Sequence, residues 1–205
     1  MKVIAINGSP HDNGSVFTSL NLISTELAKE NIECEILQVG NKTIRGCRAC
    51  NKCNEIKRCI FNDDILNEYL EKIKAADGLI IGSPVYYGGI AGTLKCFLDR
   101  VFYTRPDMRF KVCAAVVSLR RSGGVSTFQQ INNYFNLSQM VLTPSPYWGV
   151  IHGNNGDEVL QDKEGVQIMQ TIGQNMSWLM KVVEQGKTNI KQPQPLEKIR
   201  TNFIR

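Results

Sequence analysis

Gly78-Leu79-Ile80-Ile81-Gly82 is an unbroken apolar run set between two stretches of helical periodicity. A strand without polar alternation is covered on both faces, as strands of a parallel sheet are. The run therefore asks for helices on either side of it, and the rest of the chain provides them. Val16, Leu20, Ile23 and Leu27 fall at helical spacing from about Ser15, and Ile65 or Leu66, Tyr69, Leu70 and Ile73 do so after Asp63 or Asp64, either of which can cap. Leu94, Phe97, Leu98 and Val101 mark a third helix, Phe128, Ile131, Tyr134 and Phe135 a fourth, and Val166, Met169, Met176, Leu179 and Val183 a fifth. Between them stand short strands: Lys2 to Asn7, Glu33 to Val39, Gly78 to Gly82, Lys111 to Ser118, and one within Met140 to Ile151 that Pro144 and Pro146 interrupt. Ser83 to Gly92 reads as loop.

Five strands alternating with five helices predict an α/β fold with a doubly wound parallel sheet and helices on both faces. Right-handed crossovers then send ligands beyond the carboxyl ends of the strands. The 205 residues, 42% hydrophobic and 21% charged, suit one domain and would cramp two. That domain is expected over residues 1–190, with a cysteine-rich insertion at 41–63 and an extended tail at 191–205. A net charge of +5 favours an anionic cofactor but is too diffuse to predict nucleic-acid binding. No stretch approaches the roughly 20 apolar residues of a membrane span, and the apolar start is too short for a signal-peptide core. The expectation is a cytoplasmic protein with no membrane partner.

Three loops converge in such a fold. Gly8 to Ser15 follows the first strand and opens a helix, so it can present backbone N–H groups to an anion. It lacks both GxGxxG and the Gly-Lys-Ser/Thr of a P-loop, which favours a single phosphate; the alternative is a plain turn with Ser15 as N-cap. Ser83-Pro84-Val85-Tyr86-Tyr87-Gly88-Gly89 can wall a planar ring, or its tyrosines can serve an interface. Ser118-Leu119-Arg120-Arg121-Ser122-Gly123-Gly124 places an Arg where a reduced flavin would carry negative charge, or it is a solvated basic turn.

Asn7-Gly8-Ser9-Pro10, Gly82-Ser83-Pro84-Val85-Tyr86 and Leu94-Lys95-Cys96-Phe97-Leu98-Asp99-Arg100 together resemble the NADPH-dependent FMN reductase group of flavodoxin-like proteins. Arg120-Arg121-Ser122-Gly123-Gly124 and Tyr147-Trp148 extend the likeness to about residue 153. It implies strand order 2-1-3-4-5 and bound FMN. The phosphate would lie near Ser9, His11, Asn13, Ser15 and Val16. The ring would lie near Pro84, Val85, Tyr86 and Tyr87, with Ser118, Arg120, Ser122, Gly123 and Gly124 completing the pocket. His11 stands where relatives frequently carry Arg or Lys.

Cys47-x2-Cys50-x2-Cys53-x5-Cys59 gathers four of the seven cysteines. The two-residue gaps match the opening of ferredoxin-type 4Fe–4S runs. Tetrahedral zinc also accepts four cysteines, though usually on separated arms; a disulfide switch or plain reduced thiols are further readings. Joined to the loop motifs, the cluster resembles the iron–sulfur flavoprotein branch. That resemblance implies a 4Fe–4S centre exchanging electrons with FMN across a subunit boundary. Cys34, Cys96 and Cys113 read as structural, and His152 as a surface residue or a substrate contact.

The leading reading is an oxidoreductase in which NAD(P)H reduces FMN and electrons pass to a quinone, a flavin or an iron–sulfur acceptor. No catalytic acid or nucleophile is expected. The alternatives are an electron carrier served by ferredoxin, and a zinc-stabilised binding module. The apolar Tyr86-Tyr87-Gly88-Gly89-Ile90 suits a homodimer or homotetramer.

Overall fold

The computed structural model describes residues 1–197 together with 199, 201 and 203. Strands β1 (Lys2–Asn7), β2 (Glu33–Gln38), β3 (Gly78–Tyr86) and β5 (Val112–Leu119) run parallel in the order β2-β1-β3-β5. Beyond β5 the sheet ends in two short strands, β6 (Val141–Leu142) and β7 (Val150–His152), both parallel to β5. With β6 and β7 taken as one interrupted strand, this is the expected doubly wound, flavodoxin-like sheet.

The central strands β1, β3 and β5 are mostly apolar because helices cover both faces, while the edge strand β2 carries Glu33, Glu35 and Gln38. Helices α1 (Ser15–Lys29) and α7 (Lys163–Asn189) cover one face. There Leu20, Ile23, Ile172 and Met176 meet Val3, Ala5, Ile80, Ala114 and Val116. Helices α3 (Leu66–Ala75), α4 (Gly92–Tyr103) and α5 (Gly124–Leu137) cover the other. Here Leu70, Leu94, Phe97, Ile131 and Phe135 meet Ile4, Ile6, Leu79, Ile81 and Val117. Odd and even positions of each strand divide between these cores, as a period of two requires.

Two sequence expectations are corrected. Ser83 to Gly92 is not loop: β3 runs on to Tyr86 and turns into β4 (Gly89–Ile90), an antiparallel hairpin. Tyr87 (φ 50°) and Gly88 (φ 72°) form its two-residue turn, the left-handed pair that matches strand twist. The fifth strand is broken as well as interrupted. Thr143 N donates to Cys113 O and Val117 N donates to Gly149 O, and the chain between leaves the sheet as a detour carrying Tyr147 and Trp148. Pro144 and Pro146 lack the N–H that a continuous strand would need there. The chain returns at Gly149, where a Cβ would lie 2.3 Å from Ala115 O. Helix α1 begins at Ser15 as expected; the position before it is Gly14, with no side-chain cap, so the alternative of Ser15 as N-cap does not hold.

Two short helices were not foreseen, α2 (Cys53–Ile56) and α6 (Gly156–Val159). Asp64 accepts from Leu66 N (3.1 Å) at the start of α3. In the expected tail, residues 191–197, 199, 201 and 203 hold no helix or strand, while 198, 200, 202, 204 and 205 lie outside the described residues. Among the described residues no helix is long and apolar enough to cross a membrane.

Candidate functional site

The carboxyl ends of β1, β3 and β5 bring the three loops to one edge of the sheet. Loop Gly8–Gly14 is tied on several sides. Gly8 N donates to Gly82 O (2.9 Å), and Ser9 N donates to the Asn7 side chain (3.1 Å). Gln38 Nε2 donates to Ser9 O (2.7 Å), and His11 N to Ser9 Oγ (3.2 Å). Ser9 is thereby buried, while His11 and Asn13 are exposed. The first turn of α1 has no side-chain cap, which leaves backbone N–H groups at Ser15 and Val16 pointing out of a helix N-terminus. Ser15 Oγ donates to Gly153 O (3.2 Å), joining this loop to the end of β7.

The hairpin and the third loop touch directly. Gly123 holds φ 89°, and a Cβ there would lie 2.9 Å from Val85 Cγ1 and 3.1 Å from Gly88 Cα. Ser126 Oγ donates to Gly88 O (2.7 Å) and lies 3.0 Å from Gly123 O, clasping the two loops. Pro84 and Val85 are half-buried and Tyr86 is exposed, while Tyr87 stands free at the tip. Ser83, on the buried side, bonds Pro84 O and receives Ala91 N. Arg120 and Ser122 are exposed, and Gly124 is buried at the start of α5. Ser118 lies opposite Pro84 in the sheet, and its hydroxyl is buried with no hydrogen-bond partner. An orphaned hydroxyl costs about 1–3 kcal/mol, so its presence at the carboxyl end of β5 fits a site built for a polar molecule.

Beyond the third loop a cleft of about 330 Å³ opens between Ser122–Ser126, the Tyr147–Trp148 pair and the start of α7. The two aromatic rings meet edge to face, 4.5 Å between centroids. His152 Nδ1 lies 3.2 Å from the Asp162 carboxylate, which also receives His152 N and Gly165 N. Burial pushes the Asp162 pKa up, but those donors outweigh it and hold the carboxyl below its ordinary value. His152 is therefore a fixed residue on the cleft wall.

The cysteine segment forms a second site. Cys47, Cys50, Cys53 and Cys59 all line one narrow cleft together with Arg100 and Tyr103. Cys47 and Cys50 are exposed, Cys59 half-buried and Cys53 buried. Ala49, Asn51 and Lys57 adopt left-handed backbone, which coils the segment tightly. Its far end is clamped. Asn67 of α3 accepts from Cys59 N (2.9 Å) and donates to Cys59 O (2.9 Å) and Phe61 O (3.1 Å). Arg100 of α4 pairs with Asp64 and donates through Nη2 to Cys59 Sγ (3.2 Å). Cys53 Sγ lies 3.5 Å from Tyr103 O. Burial pushes the Cys53 thiol pKa up, and the neighbouring cysteine sulfurs push the same way. Burial draws the Arg100 pKa down, but Asp64 and Cys59 outweigh it and hold the guanidinium above its ordinary value.

Cys34 and Cys113 lie in strands and Cys96 on α4, as expected. Burial pushes the Cys34 thiol pKa up to about 11.

The sequence reading missed Asn7, Gln38, Asn67, Ser126 and the Arg100–Asp64 pair. Asn7 had a signal, an Asn ending a strand before a Gly; the others act across the fold from positions with no local pattern.

The profile of the NADPH-dependent FMN reductase family matches residues 1–155. An iron-sulfur flavoprotein of Methanocaldococcus jannaschii is 34% identical, over 90% of this chain and all of that one. An iron-sulfur flavoprotein of Methanosarcina thermophila is 28% identical, over 91% of this chain and 99% of that one. Among solved structures, RosB with a bound riboflavin-phosphate derivative superposes with a TM-score of 0.72 at 15% identity, covering 100% of this chain and 92% of that one. An archaeal flavodoxin gives 0.60 at 15% identity, over 88% and 99% of the two chains. These last two establish likeness of fold.

Proposed function

The chain belongs to the NADPH-dependent FMN reductase family of flavodoxin-like oxidoreductases, and on that premise we propose that it is an FMN-dependent oxidoreductase carrying a 4Fe–4S centre and drawing electrons from NAD(P)H. The observation that supports this most is the meeting of three loops at one sheet edge, with free α1 amides at one end and the orphaned Ser118 hydroxyl at the other.

Ser9, Ser15 and the N–H groups of Ser15 and Val16 would hold the phosphate of FMN, with His11 and Asn13 at its outer side. Pro84, Val85, Tyr86 and Tyr87 would flank the ring on one side. Ser118, Arg120, Ser122, Gly123 and Gly124 would flank it on the other. FMN supplies the electron chemistry when bound, and the chain supplies position and electrostatics. Arg120, exposed on the third loop, offers positive charge to the ring edge. The close approach of Gly123 to Val85 and Gly88 would fix the spacing of the two walls.

Cys47, Cys50, Cys53 and Cys59 would hold the cluster. All four line one cleft, and an all-thiolate donor set suits iron and sulfide. The matched iron-sulfur flavoproteins support the same reading. Electrons would leave to a small-molecule or protein acceptor. The exposed Tyr87 tip would pack against a second copy in a homodimer or homotetramer.

An anaerobic absorbance spectrum of the purified protein with iron and sulfide analysis tests the proposal. The expected result is flavin bands with about four irons per chain, the iron lost in Cys50→Ser. Flavin without iron after anaerobic reconstitution would remove the cluster from the reading; no flavin with added FMN would overturn it whole. Oxidation of NADPH with a soluble acceptor separates the reductase from an electron carrier.

A further inference from the structure

We propose that Arg100 is a positioning residue that sets the electron affinity of the iron–sulfur centre through its hydrogen bond to Cys59, with Asp64 as its fixed counter-ion. The inference rests on the reading of the four cysteines as cluster ligands.

The Arg100 and Asp64 side chains are 2% and 4% exposed. Burying such a pair costs several kcal/mol of desolvation, and a well-packed apolar pair in its place is often at least as stable. Stability alone is therefore a poor account of why the pair stands here. Its placement gives a better one. One nitrogen of the fork, Nη1, is spent on Asp64 and on Arg45 O (3.4 Å). The other, Nη2, reaches the Cys59 sulfur at 3.2 Å and, at a longer 3.4 Å, the second Asp64 oxygen. Nε is buried without a partner, so the orientation satisfies the sulfur at the expense of its own third donor.

The planar guanidinium carries both bonds in one rigid geometry, which a Lys ammonium does not reproduce. Asn67 meanwhile fixes the Cys59 backbone through its N–H and its carbonyl. The sulfur and its donor are held from two different helices, whereas Cys47 and Cys50 are exposed. Cys59 is thus the ligand best placed to be tuned.

A cationic N–H donor on a ligand sulfur favours the more negative state of whatever that sulfur holds. Hydrogen bonds to the sulfurs are one of the terms that set cluster potentials. Arg100 therefore raises the potential of the cluster. The electron arrives from a reductant and leaves to an acceptor; no bond forms or breaks at Arg100 and no proton leaves it.

The test uses the full-length protein, reconstituted anaerobically with iron and sulfide. Wild type, Arg100→Gln, Arg100→Lys and Asp64→Asn are compared by iron per chain and by potentiometric titration against dithionite, followed by absorbance and EPR. In Arg100→Gln the cluster is retained and its reduction equilibrium falls about tenfold, a shift of 59 mV for one electron. Arg100→Lys, which keeps charge without the fork, falls between. Asp64→Asn removes the opposing charge and moves the potential the other way. The flavin potential stays where it is in every variant. Full iron with an unchanged potential in Arg100→Gln would overturn the proposal. Should neither Arg100 variant keep its iron, the proposal is overturned, because Arg100 would then be needed to assemble the centre and not to set its potential. Wild type without iron would overturn the cluster reading itself.

Discussion

Gly123 is where the two walls of the candidate flavin pocket depend on a single missing methyl. It holds φ 89°, a backbone region that costs a non-glycine residue about 1–3 kcal/mol. In Gly123→Ala the new Cβ would also meet Val85 Cγ1 at 2.9 Å and Gly88 Cα at 3.1 Å. The valine methyl can rotate away; the Gly88 backbone is pinned by the hairpin turn and by Ser126. We expect a loss of about 2–3 kcal/mol, which in a domain of this size lowers Tm by about 4–12 °C. If the hairpin yields instead, the strain goes into the pocket, and a displacement worth 1.4 kcal/mol weakens FMN about tenfold. Thermal melts of the FMN-free protein and titration of FMN by fluorescence quenching read the two outcomes. Gly92→Ala is the control: nothing lies within 4 Å of its Cβ position, at the first residue of α4. There, alanine should stabilise by about 0.5–1 kcal/mol. A Gly123→Ala protein that melts with wild type and binds FMN as tightly would refute the reasoning.

Ser118→Ala removes an unsatisfied hydroxyl, so the FMN-free protein should gain about 1 kcal/mol in urea denaturation while FMN affinity drops several-fold; loss of both together would show the hydroxyl to be structural. Asn67→Ala strips the clamp from Cys59 and leaves its half-buried N–H and carbonyl unpaired, so about 1–3 kcal/mol of stability and most of the reconstituted iron should go together, by melts and iron assay. The Asp162 carboxyl sits below its ordinary pKa in the folded chain, so its contribution is fully present above about pH 4 and is lost as pH falls through the folded value. Asp162→Asn should therefore flatten the acid limb of a urea-midpoint-against-pH curve, and an unaltered limb would assign it to other carboxylates.

The frame was legible because its signals are local. Runs such as Gly78–Gly82 and Val112–Val117 can be covered only from both sides, and Leu94-x2-Phe97-Leu98-x2-Val101 can bury only one helical stripe. From those two patterns the meeting of three loops follows by topology. The hairpin escaped because Tyr87-Gly88 is not one of the dipeptides that announce such a turn, and Pro84 reads as the end of a strand. The split of the last strand was half legible: the prolines marked the break, but the independent return at Gly149 depends on contact with Ala115, far away in sequence. The clamps on the cysteine segment were not legible at all. Asn67 and Arg100 stand 8 and 41 residues from Cys59, each inside a helix whose pattern would be the same without them.

The broken outer strand also bears on how this fold can diversify. Its stubs, Val141–Leu142 and Val150–His152, are each hydrogen-bonded to the same neighbour strand at a different level. The intervening segment, with Tyr147 and Trp148 at its crest, is suspended between two separate moorings like a handle. Lengthening such a handle costs only about 0.6 kcal/mol for each doubling and leaves the register of both ends alone. New side chains can accordingly be offered over the third loop by insertion here, with the sheet beneath inherited intact.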